Sequence, residues 1–134
     1  MIVVSKARSK AILAFVFSCP VVVLSILFYF KSSSQRRAIA DPAIYAAQTS
    51  SSLPTLIGSP MQAGEPIRGT VLSKNGNGNA DLQIPFSGAH GKGMLLEWAQ
   101  QDHGQWRLCS LNFHSADGEE LKILDAAKTH CEPE

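Results

Sequence analysis

The stretch Ala80-Asp81-Leu82-Gln83-Ile84-Pro85-Phe86-Ser87-Gly88-Ala89-His90-Gly91-Lys92-Gly93-Met94 decides the fold. Leu82, Ile84 and Phe86 alternate with Asp81, Gln83 and Pro85, the period-two pattern of a strand with one apolar face. Gly88 to Gly93 then reverses the chain, so a second strand follows the first in antiparallel sense. Pro85 has no N–H to give a ladder, which predicts an edge or a bulge at that point. Working outward, Met94, Leu96 and Trp98 read as the apolar face of the next strand. Upstream, Ile67, Gly69 and Val71 alternate before Asn75-Gly76-Asn77-Gly78-Asn79, residues that tolerate the positive φ of a reversal. Downstream, Asp102-His103-Gly104 turns the chain into a strand from Trp106 to His114. Ala116-Asp117-Gly118 turns it again into Glu120 to Asp125. In the strand from Trp106, Trp106 and Leu108 share a parity that Leu111 and Phe113 do not, which a bulge near Cys109 and Ser110 would produce; burial on both faces would also produce it.

About five strands joined by short turns predict an antiparallel, mostly meander sheet. One face needs a cover, and residues 41–57 supply it. Asp41-Pro42 has the form of an N-cap followed by proline at the first helical position. Ile44 and Tyr45 are the bulkiest candidates for its buried side. Ser50 to Ser52 weakens the pattern, and Gly58 with Pro60 closes it, giving one kinked helix or two short ones. The expected fold class is α+β: a transmembrane helix, then a short kinked helix on a sheet of about five strands.

The charge distribution explains why a membrane segment enters. The 134-residue chain has a formal net charge of +1. Residues 1–40 hold six cations and no acid, whereas residues 41–134 hold six cations and eleven acids. The near-zero total is therefore a +6 segment cancelling a −5 segment. Between the cations runs Ala11 to Phe30, twenty residues without a charge, about the thickness of bilayer hydrocarbon as a helix. Thirteen of the twenty are Ile, Leu, Phe or Val, which favours insertion by on the order of 4–8 kcal/mol, less what Pro20 takes back. Ala38-Ile39-Ala40 resembles a leader cleavage site, but the apolar run is long for a leader, and Lys31, Arg36 and Arg37 intervene. The organisation predicted is a basic tail at 1–10, a span at 11–30 marked by Ala11, Pro20 and Phe30, a basic linker at 31–40, a domain at 41–125 and a polar tail at 126–134. A ten-residue tail before a long domain favours a signal anchor with the tail in the cytoplasm or matrix.

Roughly a hundred residues outside the span make one core and not two. That excludes a two-domain enzyme, and composition excludes a collagen-like repeat or a disulfide scaffold. No nucleophile elbow, paired helical histidines, Cys-x-x-Cys or phosphate loop is present, so no catalytic activity and no cofactor are expected. His114, His130 and Cys131 are a soft-ligand set that would suit copper if the tail folded back, though a fraying tail is the simpler expectation. Cys109 reads as a small core residue that could also pair with Cys131 in an oxidising compartment. His90 and His103 fall in turns. Trp98 and Trp106 read as sheet-packing residues. An acidic domain is a poor partner for nucleic acid.

The segment from Gly78 to Gly93 resembles the signature of the cytochrome oxidase complex assembly protein 1 family. Its most specific part is Ala80, Asp81, Leu82, Ile84, Pro85 and Gly88, with Gly91 and Gly93 following. Asp41-Pro42, Leu56-Ile57-Gly58-Ser59-Pro60, Gly104-Gln105-Trp106-Arg107-Leu108 and Leu121-Lys122-Ile123-Leu124 fall around it in the family's order. The chain departs from the family at Ala89-His90, where a Pro-Lys pair is expected. The resemblance implies one N-terminal transmembrane helix and an α+β domain similar to that of a mitochondrial presequence-translocase subunit. It also implies a non-enzymatic role in oxidase assembly. The implied partners are the lipid bilayer through residues 11–30 and oxidase subunits or other assembly factors. The implied location is a bacterial inner membrane with a periplasmic domain, or a mitochondrial inner membrane facing the intermembrane space. A general envelope interaction domain and a copper-delivering protein are the alternative readings.

Overall fold

A computed structural model describes residues 6–131, with side chains described for residues 20–126 and 128–131. The chain divides into a compact unit of residues 1–34 and a second of residues 35–134. Helix α1 runs Lys6–Thr49. In the first unit the described side chains from Val21 to Leu24 and from Ile26 to Phe30 are exposed large apolar groups. Pro20 lies within the helix and is exposed; the side chains of Ala11 to Cys19 lie outside the described residues. Among the described residues no helix is long and apolar enough to cross a membrane.

The second unit is one sheet with a helix on one face. After α1 come α2 (Leu53–Ile57), β1 (Gln62–Ala63), β2 (Arg68–Lys74), β3 (Asn77–Ser87), β4 (Lys92–Asp102), β5 (Gln105–Ser115), β6 (Glu120–Leu124) and α3 (Ala126–Thr129). The order is β1-β3-β4-β5-β6, with β2 also paired to β3 on the β1 side, and all pairs are antiparallel. From β2 onward this is the expected meander.

Two expectations about the helix need correction. Asp41 does not cap a new helix, because α1 continues through Asp41 and Pro42 to Thr49. Both residues lie on the exposed side. Pro42 cannot donate to the carbonyl of Ala38, itself an exposed residue, and Asp41 binds Arg37 one turn back at 3.3 Å. The cover is therefore the end of a long helix plus the separate five-residue α2, not one short kinked helix. Ile39, Ala40, Ala43, Ile44 and Ala47 form its buried stripe. Tyr45, one residue off that stripe, is 71% exposed.

On the sheet, the face toward the helix carries Ala80, Leu82, Ile84 and Phe86 from β3, as the alternation required. For β4 the expected face is reversed: Leu95, Glu97 and Ala99 are buried, while Met94, Leu96 and Trp98 are half-buried on the other side. Register decides this, since Ile84 pairs with Leu95 and Leu82 with Glu97. Cross-strand neighbours share a face, so the bulkier set is directed away from the helix. In β5, Trp98 pairs with Ser110 and Ala99 with Leu108, leaving Cys109 as the extra residue of a bulge. The bulge moves Trp106 and Leu108 to the helix side, where they pack against the core. Pro85 sits in an interior strand, at a local gap: β2 pairing ends at Gln83 and β1 pairing begins at Phe86. Gly64 N–H donates to the Pro85 carbonyl across that gap at 2.8 Å.

The reversed register buries a carboxyl group. Glu97 is 2% exposed, and neither of its oxygens has a hydrogen-bond partner. Burial raises its pKa from 4.5 to about 8, so it is held as the neutral acid at neutral pH. The native state then keeps a proton that the unfolded chain releases, and stability falls as pH rises from 4.5 to about 8. The loss is about 1.4 kcal/mol for each pH unit in that window. Urea unfolding from pH 5 to pH 8 should show the parent losing stability by several kcal/mol and Glu97→Leu staying nearly flat. Parallel curves would contradict the assignment.

Candidate functional site

The signature residues divide between the core and one joint. Ala80, Leu82 and Ile84 point to the helix and are buried. Asp81 points to the opposite face, between Thr70 on β2 and Trp98 on β4, and is exposed. Trp106 is half-buried against the core at the start of β5. Gly88, Gly91 and Gly93 surround the β3–β4 turn; the first two allow contact with α2 and Gly58, and the third allows close approach to β5. A Cβ on Gly88 would collide with the carbonyls of Ile57 and Gly58, and one on Gly91 would meet the Ile57 side chain at 3.3 Å. A Cβ on Gly93 would strike the His114 carbonyl and the Phe113 ring.

Two hydrogen bonds close the joint. His90 N–H donates to the Ile57 carbonyl at 2.7 Å, and Gly88 N–H donates to the Gly91 carbonyl at 2.8 Å. Gly58 has φ +79°, and the exposed His90 ring lies over its α-carbon, where an added Cβ would come within 2.6 Å of the ring. Gly88 and Gly91 are thus positions stripped of side chains so that the hairpin seats on α2 and Gly58.

The proposed metal ligands are not brought together as a site. Cys131 is disulfide-bonded to Cys109, with their Cα atoms 5.7 Å apart, so its sulfur is not a thiolate. His114 Nε2 lies 3.4 Å from Glu120 Oε1 on the surface, and His130 is exposed. Among the described residues no three His, Cys, Asp or Glu side chains converge to hold a metal. His103 Nδ1 meets Asp102 Oδ1 at 2.7 Å with both side chains mostly in solvent.

The carboxy-terminal tail, expected to fray, is docked through residue 131. Thr129 Oγ1 donates to the Cys109 carbonyl at 2.9 Å beside the disulfide. Thr129 and α3 were not legible as contact residues, although Asp125 before Ala126-Ala127-Lys128-Thr129 is the form of a short helix start, and Lys128 N–H does donate to the Asp125 carbonyl at 3.0 Å.

What the geometry offers a partner is backbone. Asn75 and Gly76 have positive φ and form a two-residue turn, so Lys74 and Asn77 close it as a hydrogen-bonded pair. Alternation from that pair turns the N–H and C=O groups of Val71 and Ser73 toward the open side of β2. The tips of this hairpin and of the β4–β5 hairpin are tied together, Gly104 N–H donating to the Gly76 carbonyl at 2.8 Å.

Gly88→Ala should destabilise the full chain in detergent by about 1–3 kcal/mol, because the carbonyls it meets are backbone and cannot turn aside. Ala89→Ser, on the exposed tip of the same turn, should change stability by less than about 0.5 kcal/mol. Chemical denaturation of both variants checks the joint, and equal effects would contradict it.

The family model for cytochrome oxidase complex assembly protein 1 matches residues 10–125. The chain matches no curated protein and no solved structure. The matched range takes in the charge-free run, α2 and all six strands, and the chain belongs to the cytochrome oxidase complex assembly protein 1 family, which serves in the assembly of cytochrome oxidase.

Proposed function

We propose that the chain is a membrane-anchored, non-enzymatic factor that binds a subunit of a respiratory haem-copper oxidase, or another assembly factor, while the oxidase is built. The match over residues 10–125 carries this reading. Residues 11–30 are the anchor, supported by twenty residues without a charge and by the cations on both sides. The domain lies in the periplasm, or in the intermembrane space if the chain is mitochondrial. The Cys109–Cys131 disulfide supports that side of the membrane, because such bonds persist in oxidising compartments.

Binding is by strand addition at a sheet edge, where backbone groups give affinity and neighbouring side chains give selectivity. A general envelope interaction domain would use the same surfaces. It differs in what is captured with it. Copper delivery through His114, His130 and Cys131 lacks the thiolate it would need while Cys131 is bonded to Cys109.

Deletion of the gene should lower the amount of assembled haem-copper oxidase while leaving other respiratory complexes intact; normal oxidase under all growth conditions would overturn the role. Placement of the domain has its own readout. Protein denatured from intact cells should take up one maleimide-polyethylene glycol per chain, at Cys19, without reductant and three after reduction. Three adducts without reductant would place the domain in a reducing compartment.

A further inference from the structure

The two edges of the sheet are closed unequally. β6 pairs with β5 only at residues 111–114, leaving the first half of β5 without a strand neighbour on that side. His103 and Gly104 form a positive-φ two-residue turn, so Asp102 and Gln105 are its hydrogen-bonded closing pair. Alternation then directs the N–H and C=O groups of Trp106 and Leu108 outward. The carboxy-terminal segment sits against this same stretch. Thr129 Oγ1 donates to the Cys109 carbonyl, and Cys131 is bonded to Cys109 at the bulge. A four-residue helix has little stability of its own, and the cross-link and the Thr129 hydrogen bond tie α3 to β5.

We propose that residues 126–131 are a redox-controlled guard over the first half of β5. In the oxidised chain the guard occupies the space a further strand would need. A protein dithiol supplies two electrons and two protons and becomes a disulfide, while the Cys109–Cys131 bond becomes two thiols. The guard is then released, and the edge accepts an extended segment of a partner protein.

The chemistry of that segment follows from the edge. Trp106 and Leu108 are half-buried on the core side, and Arg107 projects from the opposite face, exposed. Arg107 forms no salt bridge among the described residues. A strand alternating apolar and acidic side chains places its apolar groups beside Trp106 and Leu108 and a carboxylate beside Arg107. The guard rests on the reading of the domain as a binding module and specifies where and when it binds.

The test uses the full chain in detergent and a fluorescent synthetic hexapeptide of alternating valine and glutamate, with affinity read by anisotropy. The reduced parent and Cys131→Ser should bind at least tenfold more tightly than the oxidised parent. Arg107→Glu in the Cys131→Ser background should abolish the gain. Hydrogen exchange at the amides of Trp106 and Leu108 should slow when the peptide binds. Equal affinity of the oxidised and reduced chains, or no binding by either, overturns the guard. Loss of exchange protection at Leu95 on reduction overturns it too, since the cross-link would then hold the core. None of these failures touches the gene-deletion result, which tests the role in oxidase assembly by itself.

Discussion

A meander sheet has two faces, and among the described residues the end of α1, with the short α2, covers one of them. Ala40, Ala43 and Ala47 present almost no side-chain bulk to the sheet, and all three have 0% exposure. Ile39 and Ile44 flank them and fill the remaining space. This stripe selects which sheet residues become core. Once Leu82 and Ile84 face it, the β3–β4 register commits Leu95, Glu97 and Ala99 to the same side. Burial of an unpartnered carboxyl is the cost of that commitment. The bulge at Cys109 answers the same demand, bringing Trp106 and Leu108 to the helix side after Leu111 and Phe113 have already been placed there.

Much of this was legible in the residues. Leu82, Ile84 and Phe86 needed only a period of two, the turns announced themselves through asparagine and glycine, and the parity break near Cys109 and Ser110 left a bulge or burial on both faces, of which the register shows the bulge. What was not legible depended on pairing between distant positions. Met94, Leu96 and Trp98 look like a core face because they are bulky, and nothing local says that Glu97 lies opposite Leu82. Asp41-Pro42 has the form of a helix start, but the packing of Ile39 and Ala40 against the sheet extends order upstream of it. Cys109 and Cys131 are 22 residues apart, and only the fold of the tail back onto β5 brings them together. A loop of that length makes the bond worth about 3 kcal/mol in the chain-entropy account.

The family signature gains a physical meaning from the joint it builds. Its apolar members are core, Gly88 and Gly91 let the β3–β4 turn lie on Ile57 and Gly58, and Gly93 lets β4 lie close to Phe113 and His114 on β5. The substitution of Ala89-His90 falls on the outer side of that turn, where the backbone of His90 still donates to Ile57. The joint therefore tolerates the departure. With the signature committed to holding the domain together, the sheet edges and the face around Trp98 are the surfaces that this joint does not use.

These edges are proposed to meet a subunit of the oxidase during its assembly. The most direct measurement is photo-cross-linking in intact membranes from a benzoyl-phenylalanine placed in turn at Ser73 on β2, Arg107 on β5 and Tyr45 on the exposed side of α1. Adducts with an oxidase subunit or an oxidase assembly factor are expected from Ser73 or Arg107 and not from Tyr45. Adducts from Tyr45 alone, or edge adducts confined to proteins unrelated to the oxidase, would contradict it.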